Sequence, residues 1–174
     1  MDFAILALRS IVGIVFLAHG VKHVINRDKT IRWTASIGLR YPTMQWFLMA
    51  FAEIGIGISF LAGFLTAIGA AGLIAMMFVA YWTVHRGAGF FVSARPDEGY
   101  EYVLTLSVIA AVVAYLGPGR YSVDDALGLT ERLSGTAGLT IALAGILAGV
   151  LQLLATYRPS DTDQSEFSPA TPQS

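Results

Sequence analysis

Five long apolar stretches make up most of this sequence. They cover residues 3–21, 44–65, 67–84, 100–116 and 136–156, and only 13% of the chain is charged. Because about 20 apolar residues cross the hydrocarbon core of a bilayer as a helix, the sequence predicts an all-α membrane protein with five transmembrane helices. Little length remains for a soluble domain, so any function has to lie in the helix bundle, in its loops or in a partner.

Composition excludes several classes of function. The net charge of −1 and the lack of a basic stripe argue against a nucleic-acid-binding protein. The chain has no cysteine, which excludes disulfides and cysteine-bound iron–sulfur clusters. The sequence has no metal-binding, nucleotide-binding or hydrolase motif, and its histidines lie too near the helix ends for a buried haem. Redox chemistry would therefore need a bound cofactor or a partner.

The segments between the apolar stretches predict the connections. Only Leu65-Thr66 separates the second and third stretches, which predicts a tight helical hairpin. Residues 30–40 are expected to form a short helix at the membrane surface, with Trp33 and Ile37 facing lipid. Glycines in the spans, including Gly145 and Gly149, are expected to let helices pack closely. Residues 158–174 are rich in Pro, Ser and Thr and are expected to be a disordered tail.

Charge distribution predicts the orientation in the membrane. With five spans, eight Lys and Arg residues lie on the side of the first loop, third loop and tail, against Arg120 and Arg132 on the other. The positive-inside rule then places the N-terminus outside and the C-terminus in the cytoplasm. No basic segment or cleavage pattern accompanies the first stretch, so we expect a retained span rather than a signal peptide.

Arg9 and Glu53 are charged residues within the first and second apolar stretches. A charge inside a bilayer is costly, so each needs a partner, and the two are predicted to pair with each other. Such a pair would either be structural, fixing how the first two helices pack, or functional, as a proton relay or an anchor for a ligand head group.

A second group of polar residues lies at one membrane face. Helix order places His19, His85 and Glu101 at the same face, whichever way the bundle is oriented. Imidazole and carboxylate groups could bind a metal, transfer protons or contact a quinone carbonyl, or could simply make structural hydrogen bonds. With the deeper pair they form the candidate polar pocket: Arg9, His19, Glu53, His85 and Glu101. The sequence assigns none of them as a metal ligand or a catalytic residue.

An ordered series of motifs resembles the DoxX family of bacterial membrane proteins. The motifs are Arg9 and Gly13 followed by Phe16-Leu17-Ala18-His19-Gly20 and Lys22, then Glu53-Ile54-Gly55-Ile56-Gly57 with Leu61, Gly63 and Thr66, then His85 with Gly89-Phe90, then Gly99-Tyr100-Glu101, and finally Gly117-Pro118-Gly119-Arg120-Tyr121-Ser122-Val123-Asp124. The resemblance extends over residues 3–127 and implies a four-helix membrane domain at 1–134. The fifth helix, at 135–157, is an addition to the family pattern.

The resemblance also implies a link to redox chemistry, because relatives include the membrane component of a thiosulfate:quinone oxidoreductase. We therefore expect a bacterial inner-membrane component of a redox or oxidative-stress system, whose polar pocket takes a quinone-like or small sulfur substrate. Quinone is the one cofactor suggested. The alternatives are a non-catalytic scaffold for soluble redox enzymes at the cytoplasmic face, or a small proton-coupled transporter using Glu53. The sequence leaves open whether the protein is an enzyme and whether it forms a homo-oligomer.

Overall fold

A computed structural model describes residues 1–93 and 98–158 of the chain. Within that part it contains helices α1 Asp2–Ile25, α2 Arg27–Ser36, α3 Pro42–Ala62, α4 Thr66–Ala80, α5 Glu101–Leu116, α6 Val123–Ala126 and α7 Gly135–Thr156. A π-helical turn, Tyr81–His85, continues α4. The prediction of an all-α fold is confirmed.

Four of these helices are long and apolar enough to cross a membrane: α1, α3, α4 with its π-helical turn, and α7. The apolar α5 is shorter, with 16 residues, or about 24 Å at the usual rise per residue. It packs against both α4 and α7 and connects the loop after α4 to the loop before α7. In the part of the chain that the structure describes, the bundle therefore has five apolar helices that run alternately up and down, four of them of full span length.

Glycines bring α1 and α3 into close contact. A Cβ atom added to Gly57 would lie 2.8 Å from the backbone nitrogen of Leu17 and 2.9 Å from the carbonyl oxygen of Gly13. Gly20 has an equally close approach to the carbonyl oxygen of Ala50. Small residues allow such backbone contact between helices in lipid, where van der Waals packing is a main source of helix association. The predicted packing role of glycine is confirmed at this interface.

The same principle joins α7 to α4. A Cβ atom on Gly149 would lie 2.9 Å from the carbonyl oxygen of Ala75, and one on Gly145 would collide with that of Ala71. Ala142 of α7 is fully buried and belongs to the same apolar core as residues of α1, α3, α4 and α5. The added fifth helix is therefore an integral part of the bundle.

The short surface helix and the C-terminal tail agree only partly with the sequence predictions. The short helix expected within residues 30–40 is α2, which begins earlier, at Arg27, and packs against α3. Arg158 is tied to the α2–α3 loop, since its backbone N–H donates to the carbonyl of Gly38 at 2.7 Å. The rest of the predicted tail, 159–174, and Arg95 of the third loop lie outside the described residues.

Candidate functional site

Arg9 does not pair with Glu53, so that prediction is wrong. Its guanidinium is 1% exposed, and Nη1 donates to the carbonyls of Phe60 and Leu61, each at 2.8 Å. Nη2 donates to the carbonyl of Tyr121. Because α1 and α3 run antiparallel, Arg9 lies beside the last turn of α3, whereas Glu53 is about 10 Å further along that helix. The helix end offers carbonyls that lack intrahelical partners and attract a cation, so Arg9 binds there instead.

Asp124 completes this arrangement at the start of the next helix. Its carboxylate is 0% exposed and accepts hydrogen bonds from the backbone of Leu65 and Thr66, at 2.7 and 3.0 Å, and from the Thr66 hydroxyl at 2.9 Å. Gly63, between the two helices, adopts a left-handed φ of 64° with Arg9 and Ser122 directly against it. We call Arg9, Gly63, Tyr121 and Asp124 the clasp. It fixes the α3–α4 turn, which gives the 117–124 motif a structural role.

Glu53 instead faces the C-terminal part of α1. It is 7% exposed, and its Oε2 lies 3.6 Å from Nε2 of His23 and makes no hydrogen bond. Among the described residues, no other carboxylate of a spanning helix makes an ion-pair contact, since the second pair, Arg27 and Asp28, lies in α2. Glu53 and His23 therefore replace the predicted pair of Arg9 and Glu53.

The hydrogen bonds around His23 indicate where its proton lies. The Thr30 hydroxyl donates to the carbonyl of Asn26, so its oxygen is left to accept from Nδ1 of His23, 3.2 Å away. A neutral His23 with its proton on Nδ1 presents a bare Nε2 lone pair to Glu53. A carboxylate would be repelled by that lone pair unless a proton lies on one of the two groups. The geometry therefore favours a site that holds one exchangeable proton.

A small pocket lies beside this pair. Its volume is about 40 Å³, and it is lined by Val15, Phe16, His19, Glu53, Met77, Tyr102 and Leu106. His19 is exposed, and its Nδ1 lies 2.9 Å from the Val15 carbonyl, which leaves Nε2 free to accept a hydrogen bond when the ring is neutral. The space holds one small polar group rather than a whole organic molecule.

His85 and Glu101 lie in a different environment at the same membrane face. Nδ1 of His85 is 2.6 Å from the carbonyl of Glu98, and the Glu101 carboxylate accepts a hydrogen bond from the backbone of Val92 at 3.0 Å. Both side chains thus bind the loop between α4 and α5, and neither lines the pocket. Of the five predicted pocket residues, the structure brings together His19 and Glu53.

Two residues near Glu53 were not predicted as part of the site: His23, which contacts Glu53 without lining the pocket, and Tyr102, which lines it. His23 lies on the same stripe of α1 as Arg9, Gly13 and Gly20, and its spacing of four residues from His19 was a usable signal. Tyr102 had no comparable signal, because a tyrosine next to the start of an apolar helix is ordinary. Within the described residues, no group of three or more His, Asp or Glu side chains is arranged to hold a metal ion.

Comparison with known proteins identifies part of the chain. Residues 4–86, which extend from the first turn of α1 to just past the π-helical turn, match the model of the DoxX family. The resemblance is confirmed over this region, and Gly89-Phe90 and the motifs at 99–101 and 117–124 lie beyond the match. No curated protein and no solved structure is similar enough to the chain to count as a match. The protein is therefore a multi-helix membrane protein with a DoxX-family domain over residues 4–86.

Proposed function

We propose that this protein is a membrane component of a bacterial redox or oxidative-stress system, and that His19 and Glu53 bind the polar end of a quinone-like or small sulfur substrate, with His23 in contact with Glu53 behind the pocket. The contact between Glu53 and His23 is the observation that most supports this. Reduction of a quinone consumes protons as well as electrons, and a buried pair that holds an exchangeable proton can supply one. The electrons would come from a soluble redox enzyme at the cytoplasmic face.

The size and position of the pocket favour a lipid-soluble substrate. At about 40 Å³ the pocket accepts a carbonyl oxygen or one sulfur-bound oxygen. His19 and Tyr102 line it and are themselves exposed on the bundle surface, so the rest of a larger substrate can remain among the lipids. Arg9 contributes no group to this site, since it does not line the pocket and both its Nη1 and Nη2 atoms donate within the clasp.

Glu53→Gln is expected to weaken substrate binding about tenfold, because the protonated carboxyl group is a stronger hydrogen-bond donor to the substrate's oxygen than the amide that replaces it. The binding of decylubiquinone and of thiosulfate is measured separately by titration calorimetry. The full chain is used for both, purified and placed in lipid nanodiscs.

Glu101→Gln is the matched control, since it changes a carboxylate at the same membrane face that lies outside the pocket. It should leave the affinity for either probe unchanged. If the unmodified protein binds neither probe, or if both variants lose affinity equally, the proposed site is wrong.

One observation favours a second candidate function, a scaffold for soluble redox enzymes. Among the described residues, the membrane face that bears α2 presents seven exposed cations against two exposed acids, Asp28 and Glu98. The cations are Lys22, Arg27, Lys29, Arg32, Arg40, Arg86 and Arg158. The opposite face presents Arg120 and Arg132 alongside the exposed acids Asp125 and Glu131. A concentration of one charge sign attracts partners of the other sign, so an acidic enzyme surface would bind at the α2 face.

Replacing Lys22, Lys29 and Arg32 together with glutamine is expected to reduce recovery of such an enzyme several-fold, because rim charges control encounter between partners. Recovery is measured by affinity purification from native membranes, with quantitative mass spectrometry. Arg120→Gln combined with Arg132→Gln, on the other face, should not change it. A scaffold should also retain its partner in Glu53→Gln. If no redox enzyme is recovered in a constant ratio to the protein, the scaffold function is ruled out.

A further inference from the structure

A second, larger cavity lies between α2, α3, α4 and α7. Its volume is about 260 Å³, and most of its lining is apolar. Since about 150 Å³ is enough to hold benzene, this cavity has room for a bicyclic ring. Glu53, His19 and His23 are not among its lining residues, so it is separate from the small pocket on the other side of α3.

Two glutamine side chains meet in this cavity. Nε2 of Gln152, on α7, donates to Oε1 of Gln45, on α3, at 3.0 Å. Gln45 is 2% exposed, and its own Nε2 has no acceptor. A buried amide N–H without a partner is unfavourable and rare in native structures. This N–H is therefore a hydrogen-bond donor available to whatever fills the cavity.

The two hydroxyl groups of the lining already have partners. The Thr34 hydroxyl donates to the carbonyl of Ile31, and the Thr83 hydroxyl donates to that of Val79, each at 2.9 Å. Neither hydroxyl needs the ligand as an acceptor. The lining thus combines a mostly apolar wall with the buried, unpartnered N–H of Gln45, which favours a neutral molecule bearing an accepting oxygen.

The cavity is accessible from the lipid side. Trp33, Leu48 and Ala52 line it and are also exposed on the surface of the bundle, and the last two lie on the span-length helix α3. A ligand can therefore enter from the membrane without crossing the loops.

We propose that this cavity, which we call the glutamine cavity, binds a neutral, lipid-soluble ring compound through a hydrogen bond from Gln45 to the ligand's carbonyl oxygen. This proposal does not depend on the redox function. The two sites share no lining residue, so either can exist without the other.

The methionines provide a local readout of binding. Met49 and Met76 line the glutamine cavity, Met77 lines the small pocket, and Met1 and Met44 line neither. The full chain with isotope-labelled methionine methyl groups is placed in nanodiscs and titrated with α-tetralone, a bicyclic ketone. NMR shifts are expected at Met49 and Met76 only. Shifts at Met77 alone, or at every methionine equally, would overturn the assignment.

The hydrogen bond is tested by comparing α-tetralone with tetralin, which has the same rings without the carbonyl. The ketone is expected to bind about tenfold more tightly to the unmodified protein, because one hydrogen bond to a buried donor has an effect of this size. Gln45→Leu should remove that difference. If the unmodified protein binds the two compounds with equal affinity, the proposal is contradicted, whatever the result for Gln45→Leu.

Ala52→Leu tests whether the ligand occupies the cavity. Ala52 lines the cavity but is exposed on the bundle surface, so leucine can fill part of the cavity without disturbing the core. It should weaken binding of both compounds. Ala148→Leu, at an exposed position of α7 outside the lining, is the matched control and should bind both compounds normally. If Ala52→Leu binds as well as Ala148→Leu, the ligand does not occupy the glutamine cavity.

Discussion

Asp124→Ala is expected to lower the free energy of unfolding by about 3 kcal/mol or more, since a buried carboxylate with several hydrogen bonds is removed. Two backbone N–H groups at the start of α4 and the Thr66 hydroxyl would lose their acceptor. They lie where no other acceptor is available, because a helix leaves its first N–H groups unpaired. The measurement is the unfolding curve of the purified protein in mixed micelles with increasing SDS.

Asp125→Ala is the control for this experiment. Asp125 is the next residue of α6, but its side chain is exposed, so the change should cost about 0.5 kcal/mol or less. Asp124→Asn keeps the shape and one accepting oxygen and should lie between the two. If Asp124→Ala unfolds at the same SDS concentration as Asp125→Ala, the clasp does not stabilise the α3–α4 turn.

Gly57→Ala is expected to destabilise the bundle by about 2 kcal/mol, the usual cost of forcing extra volume into a packed interface. The added methyl group would meet backbone atoms of Leu17 and Gly13, which cannot move aside as a flexible side chain can. The helices α1 and α3 would have to separate, which also lengthens the contact between His23 and Glu53. The loss is measured by SDS unfolding, and the separation by the distance between spin labels on α1 and α3.

Gly55→Ala, two residues earlier on α3, isolates the effect of the contact. A Cβ atom at Gly55 has nothing within 4 Å, and the residue faces away from the bundle. Alanine there should be neutral or stabilising by up to about 1 kcal/mol, because alanine has a much higher helix propensity than glycine. Equal destabilisation by the two substitutions would mean that helix packing at Gly57 is not the cause.

The candidate site shows where sequence reasoning reached its limit. Helix order correctly places His19, His85 and Glu101 at one membrane face, but the direction of each side chain depends on the rotation of its helix. In the structure His85 and Glu101 turn to the α4–α5 loop, while His19 shares a pocket with Glu53. The spacing of residues along one helix does not predict this rotation, because it depends on how the helix packs against its neighbours.

The glutamine cavity had a sequence signal that was not used. Gln45 and Gln152 are isolated amides near the ends of otherwise apolar spans, and helix order places both at the same membrane face. A polar side chain in a span usually faces protein rather than lipid. The sequence could therefore have suggested a contact, although the empty volume beside it depends on the packing of four helices.

The sequence by itself determined the number of apolar helices, the tight hairpin and the close packing of glycines. In a bilayer the backbone has to satisfy its own hydrogen bonds, so a long apolar stretch has almost no alternative to a helix. The tertiary structure alone decided which residues meet across helices. The antiparallel register of α1 on α3, set by contacts at Gly13, Gly20 and Gly57, places Arg9 at the end of α3 and His23 beside Glu53.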